Sequence, residues 1–142
     1  MKNGNKFGGG VECLQCALGK EEKTVEFCEY EDDYMSGLER EVNYQGAVKN
    51  KYKVEMRRLA DVFRERNITY VDFMSIDVEG SELGVLEGID FSAVTIRVIV
   101  IENDKGGGKE NAIRKFLHKK GYVLQARLWI DDVWVKKDIA AF

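Results

Sequence analysis

Two apolar runs, each stopping on an acid, constrain this chain more than any other feature. Residues 70–77 run from Tyr70 through Val71, Phe73, Met74 and Ile76 to Asp77, and residues 96–102 run from Ile96 through Val98, Ile99, Val100 and Ile101 to Glu102. Short runs rich in β-branched and aromatic residues read as buried strands. Leu83 and Leu86 follow the first run at helical spacing and Gly88 stops them. Ile113, Phe116 and Leu117 follow the second on one face of a helix over 109–120, which Gly121 ends. Residues 122–137 read as two antiparallel strands around a turn at Ile130, Asp131 and Asp132. This order predicts an α/β layer with a mainly parallel sheet and an antiparallel C-terminal hairpin.

The first half is more polar. Residues 1–10 read as an irregular lead and residues 11–18 as a first strand. Residues 24–30 and 51–56 alternate apolar and polar, the mark of half-exposed strands. Residues 31–50 read as a long loop. Leu59, Val62 and Phe63 place a helix over 58–66, ended by Asn67. A chain of 142 residues suits one domain, taken as residues 11–142.

A net charge of −3 and a pI near 5.3 offer no basic footprint for nucleic acid or an anionic membrane. No apolar run approaches the ~20 residues of a membrane span, and Met1 to Asn5 lack the apolar stretch of a secretory signal, so the expected location is the cytoplasm. The three cysteines do not suggest a disulfide framework. Cys13 and Cys16, three apart on an expected strand, would face opposite ways as buried or half-buried thiols. His118 reads as solvated, Trp129 and Trp134 as packing residues.

Ligands in open α/β sheets bind beyond the carboxyl ends of the parallel strands. Asp77 and Glu102 stand at two such ends, and Glu79 and Glu82 follow Asp77 around Gly80, which permits a tight turn. Acids near a helix start also simply complement its dipole, and Glu82 taken alone has that reading. Asp77, at the mouth of a buried strand, needs solvent or a partner.

The stretch Ile76-Asp77-Val78-Glu79-Gly80-Ser81-Glu82-Leu83-Gly84-Val85-Leu86-Glu87-Gly88 resembles the signature of the FkbM methyltransferases. Ala17-Leu18-Gly19, Ser36-Gly37-Leu38, Leu59-Ala60-Asp61-Val62, Ile99-Val100-Ile101-Glu102 and the tail from Phe116 to Val135 fall in that family's order. The resemblance implies a Rossmann-like class I sheet, S-adenosylmethionine as cofactor and O-methylation of a small-molecule or sugar hydroxyl. It implies Asp77, Glu79 and Glu102 as catalytic residues, with Asp77 and Glu79 as base or as ligands of a divalent metal. Ala17, Leu18 and Asp77 would bind the cofactor, with the first two beside the adenine, and Glu82 and Asn103 would orient the substrate.

The glycine-rich opening that usually cradles the cofactor's methionine end has no counterpart here. Gly8-Gly9-Gly10 lacks a flanking strand and helix, and Lys105-Gly106-Gly107-Gly108-Lys109 lacks the pattern of a phosphate loop. The chain also has no proline, a residue expected in the missing segment. The expectation is therefore the C-terminal portion of the domain, truncated at the N-terminus and carrying an open sheet edge that favours self-association. Two other readings stay open: a non-catalytic module that keeps the fold, and an Asp-nucleophile phosphohydrolase using Asp77 with Asp131-Asp132 as metal pair.

Overall fold

The computed structural model of the protein describes residues 5–7, 10–31, 36–38, 47–103 and 108–138. Most of the expected 31–50 loop and the Lys105-Gly106-Gly107 run lie outside them. In order the elements are β1 (Asn5–Phe7), β2 (Val11–Cys13), β3 (Ala17–Leu18), β4 (Lys23–Tyr30), β5 (Gly37–Leu38), β6 (Val48–Arg57), α1 (Leu59–Glu65), β7 (Tyr70–Ile76), α2 (Glu82–Glu87), β8 (Thr95–Glu102), α3 (Gly108–Lys119), β9 (Tyr122–Leu128) and β10 (Asp131–Lys136).

The strands form one two-stranded sheet, β1-β2, and two four-stranded sheets, β7-β8-β10-β9 and β3-β6-β4-β5. Among the described residues only β7–β8 and β3–β6 pair in parallel; β1–β2, β4–β5, β4–β6, β8–β10 and β9–β10 are antiparallel. This corrects the expected mainly parallel, Rossmann-like sheet with a simple terminal hairpin: both larger sheets are mixed. Connection length gives the reason. A parallel pair needs a crossover of a dozen or more residues, and the segment carrying α2 supplies one between β7 and β8. The alternating strands β4 and β6 instead pair antiparallel with each other, as half-exposed strands commonly do.

The core belongs to the second half of the chain. Ile76, Leu86, Ile96, Ile99, Ile101, Ile113, Leu117, Tyr122 and Trp134 are buried in one cluster, and the Tyr122 hydroxyl donates to the Ile96 carbonyl at 2.7 Å. Sequence periodicity placed this half closely. Asn67 follows α1 in the left-handed region at φ 54°, and Gly121 follows α3 at φ 83°.

Several local readings are corrected. Residues 70–77 do not form a buried strand, because among the described residues β7 is a sheet edge paired on one side only, and Tyr70 and Phe73 stay 50% and 61% exposed. Residues 11–18 break into β2 and β3, leaving Cys13 exposed rather than buried. Asn5–Phe7, inside the expected irregular lead, pairs with β2. Trp129 is not a packing residue: it sits in the β9–β10 turn at φ 63° and is 94% exposed. His118 is exposed on α3, yet its ring stands edge-on to Trp134 with centroids 5.0 Å apart.

The end of β3 and the end of α2 meet at glycines. The Gly19 N–H donates to the Arg57 carbonyl at 3.0 Å and the Ala60 N–H to the Gly88 carbonyl at 2.9 Å. A β-carbon on Gly88 would collide with the Gly19 carbonyl oxygen, so only glycine permits this approach. The joint sets the end of α2 against the end of β3, and the site is built beside it.

Candidate active site

Parallel pairing brings the two strand-end acids together. Ile76 lies opposite Ile101 in the β7–β8 register, so the next residues, Asp77 and Glu102, emerge side by side. Glu79 joins them through the turn rather than through strand alternation: β7 has ended, and Glu79 and Gly80 take φ of 50° and 117°. A left-handed glutamate is uncommon and is held only where its surroundings demand it. Here the Gly80 N–H donates to Oε1 of Glu82 at 2.7 Å, and Glu82 is 3% exposed.

One carboxylate oxygen from each of Asp77, Glu79 and Glu102 lies within 4.8 Å of the other two. Glu102 is pushed up to about 7, chiefly by burial, with the like charges of Asp77, Glu79 and Glu82 adding to it. Its Oε2 is buried without a hydrogen-bond partner among the described residues. A carboxyl with that affinity can take or give a proton near neutral pH. The same three oxygens are also of the kind and spacing that a hard divalent cation takes.

Asp77 and Glu79 open onto a cavity of about 730 Å³ between this turn and the β3-β6-β4-β5 sheet. Ala17 and Leu18 line it from β3, and Leu38, Phe27 and Tyr52 from β5, β4 and β6. Phe27 and Tyr52 are register partners, which puts both rings on one side of the sheet. The Tyr52 hydroxyl donates to Oε2 of Glu29 at 2.7 Å. Glu29 also accepts from Asn50 and pairs with Lys49; these contacts, led by Asn50, hold its carboxyl down to about 2.

Of the residues singled out from sequence, Ala17, Leu18, Asp77 and Glu79 line this one cavity, and Glu102 adjoins it through the acid cluster. Glu82 and Asn103 face inward. Asn103 is 3% exposed and donates its side-chain amide to Asp132 at 2.7 Å, so a substrate contact would have to break that bond. Asp132 is fully buried and also meets Arg114 and Arg127 at 3.2 and 3.4 Å; it lies within β10 instead of sitting in the turn. Sequence reading missed Phe27, Tyr52 and Ser81. The phase of Phe27 and Tyr52 within alternating strands was visible, but the register that sets the two aromatics together was not.

Residues 9–124 match the methyltransferase FkbM domain, and the chain belongs to that family. The match spans most of the chain, which overturns the expectation of a C-terminal portion with its N-terminal segment absent. The chain is similar to the methyltransferase sdnD of Sordaria araneosa, 28% identical over 140 residues, a match covering 80% of this chain and 54% of that protein. It is also similar to the AMB antimetabolite synthetase AmbE of Pseudomonas aeruginosa, 32% identical over 82 residues, covering 54% of this chain and 4% of that protein. The chain thus spans about half the length of the first and a small fraction of the second. No solved structure matches. Among the described residues no helix is long and apolar enough to cross a membrane.

Proposed function

We propose that this chain carries out S-adenosylmethionine-dependent O-methylation of a small-molecule hydroxyl, with the 730 Å³ cavity as cofactor site and the acid cluster at its mouth as the proton acceptor. The supporting observation is the meeting of Asp77, Glu79 and Glu102 beside a cavity lined by Ala17 and Leu18 in a chain of the FkbM family. The cavity falls within the ~300–1,000 Å³ of small-molecule sites. Its walls suit the cofactor: aromatic and aliphatic side chains for an adenine, carboxylates for a cationic sulfonium.

When bound, the cofactor supplies an activated methyl group. The protein's part is alignment and proton removal. Ala17 and Leu18 would hold the adenine, the Phe27–Tyr52 pair would close the far wall, and Asp77 would offer its carboxylate to the sulfonium. Glu102, at about 7, would take the proton that the acceptor hydroxyl gives up when the cofactor's methyl group passes from sulfur to that oxygen. In a second form of the same reading, Asp77, Glu79 and Glu102 hold a divalent cation that lowers the affinity of the hydroxyl for its proton. The two forms separate on chelation, since only the second loses transfer in excess EDTA.

Calorimetric titration of the protein with S-adenosylmethionine tests the cofactor site, with an Asp77→Ala variant alongside. The expected result is micromolar binding that the variant weakens. Absence of binding by the folded chain overturns the reading. We also propose that the open edge of β7, with Tyr70 and Phe73 exposed, pairs with a second copy of the chain.

A further inference from the structure

A second, smaller cavity of about 270 Å³ lies next to the first, and Leu18, Leu38 and Ser81 line both. Its remaining apolar wall comes from Met56 and Leu83, and the charged residues Lys20, Glu21, Lys23 and Glu87 also line it. Two features of α2 have no account in the packing of the protein. Ser81 occupies the N-cap position but makes no capping hydrogen bond. Its hydroxyl is instead buried and unpartnered among the described residues, with the residue only 9% exposed. A buried hydroxyl with no partner is costly unless something supplies one.

Gly84 is the second feature. It lies inside a helix, where glycine is disfavoured relative to alanine. Unlike Gly19 and Gly88, whose β-carbons would collide with Met56 and with the Gly19 carbonyl, a β-carbon on Gly84 would meet nothing within 4 Å. Packing does not require this glycine. It leaves the helix wall bare where it lines the cavity.

We propose that the smaller cavity is a second ligand site, taking an alcohol of about one ring in size. Its apolar body lies against Leu18, Leu38, Met56 and Leu83, and its hydroxyl bonds Ser81 Oγ. A volume of about 270 Å³ accommodates a ring with a short polar substituent. On the methyltransferase reading, which this assignment deepens, the site is the acceptor half: Ser81 also lines the larger cavity together with Asp77 and Glu79.

The test needs neither cofactor nor turnover, so its failure is distinguishable from failure of the methyltransferase reading. Benzyl alcohol and toluene are titrated separately into isotopically labelled protein, following the backbone amides of Gly19, Ser81 and Gly84. Saturable shifts at these amides in the millimolar range are expected, with benzyl alcohol bound roughly fivefold more tightly than toluene, the worth of one hydrogen bond. Ser81→Ala removes that preference. Gly84→Leu fills the cavity and abolishes both titrations, and Gly84→Ala weakens them. Retained amide dispersion confirms that each variant folds. Linear, unsaturable shifts in the unmodified protein would overturn the proposal. So would saturable shifts that survive Gly84→Leu, or a benzyl alcohol preference that survives Ser81→Ala.

Discussion

The carbonyl oxygen of Gly19 occupies the space that a side chain on Gly88 would need. Gly88 also closes α2, its N–H donating to the Gly84 carbonyl at 3.1 Å, and its own carbonyl accepts from Ala60 at the start of α1. One glycine therefore ties the end of β3 to two helices. Gly88→Ala forces backbone apart rather than a flexible side chain, and is expected to cost about 1–3 kcal/mol, read as a lower urea midpoint. Gly84→Ala, with open space before it, is expected to gain about 0.5–1 kcal/mol. Equal effects of the two changes would contradict this account of the joint.

Glu102 gives stability a pH dependence of known sign. Its affinity for a proton is raised from the ordinary 4.5 to about 7 in the folded chain, so the folded state holds a proton that the unfolded state has released. Its contribution is fully present below about pH 4.5 and is lost as pH rises through 7. Glu102→Gln removes this dependence. The variant should resemble the parent in urea unfolding at pH 4.5 and be more stable at pH 8, while losing methyl transfer if Glu102 is the proton acceptor. A variant no more stable at pH 8 would refute the repulsion inferred within the acid cluster.

Asp132 has no exposed surface and is bonded by Asn103, Arg114 and Arg127. Removing one partner of a fully buried ion pair costs ~3–5 kcal/mol. The two arginine side chains are 32% and 35% exposed, so water recovers part of that. Asp132→Ala is expected to cost about 2–4 kcal/mol, and Asp132→Asn less, measured by chemical denaturation.

The edge of β7 is expected to pair copies of the chain. Light scattering should give a mass above that of the monomer at high concentration, and Phe73→Lys should return it to the monomer. A monomer mass at every concentration would exclude the pairing.

The second half of the fold was legible in the sequence because its signals are local. Apolar runs, helical spacing and glycine stops placed β8, α2, α3 and the terminal hairpin to within a few residues. The first half was legible as strands but not as a sheet. β4 and β6 alternate clearly, yet alternation carries no information about which strands pair or in which direction, and the parallel expectation failed there. β7 shows the same limit. Its composition reads as buried, and only the strand order reveals it as an edge.

The candidate site divides along the same line. Sequence by itself determined the acid-rich turn from Asp77 to Glu82 and its family, because turn chemistry and a contiguous motif are written in neighbouring residues. It also determined that Glu102 ends the second apolar run. Only the tertiary structure decided that Glu102 stands against Asp77 and Glu79, that Phe27 and Tyr52 face the same cavity, and that Asn103 turns inward to Asp132. These depend on register and on the approach of β3 and α2 at Gly19 and Gly88, contacts between residues far apart in the chain. Repulsion among the acids and burial of Glu102 exist only once those contacts have formed.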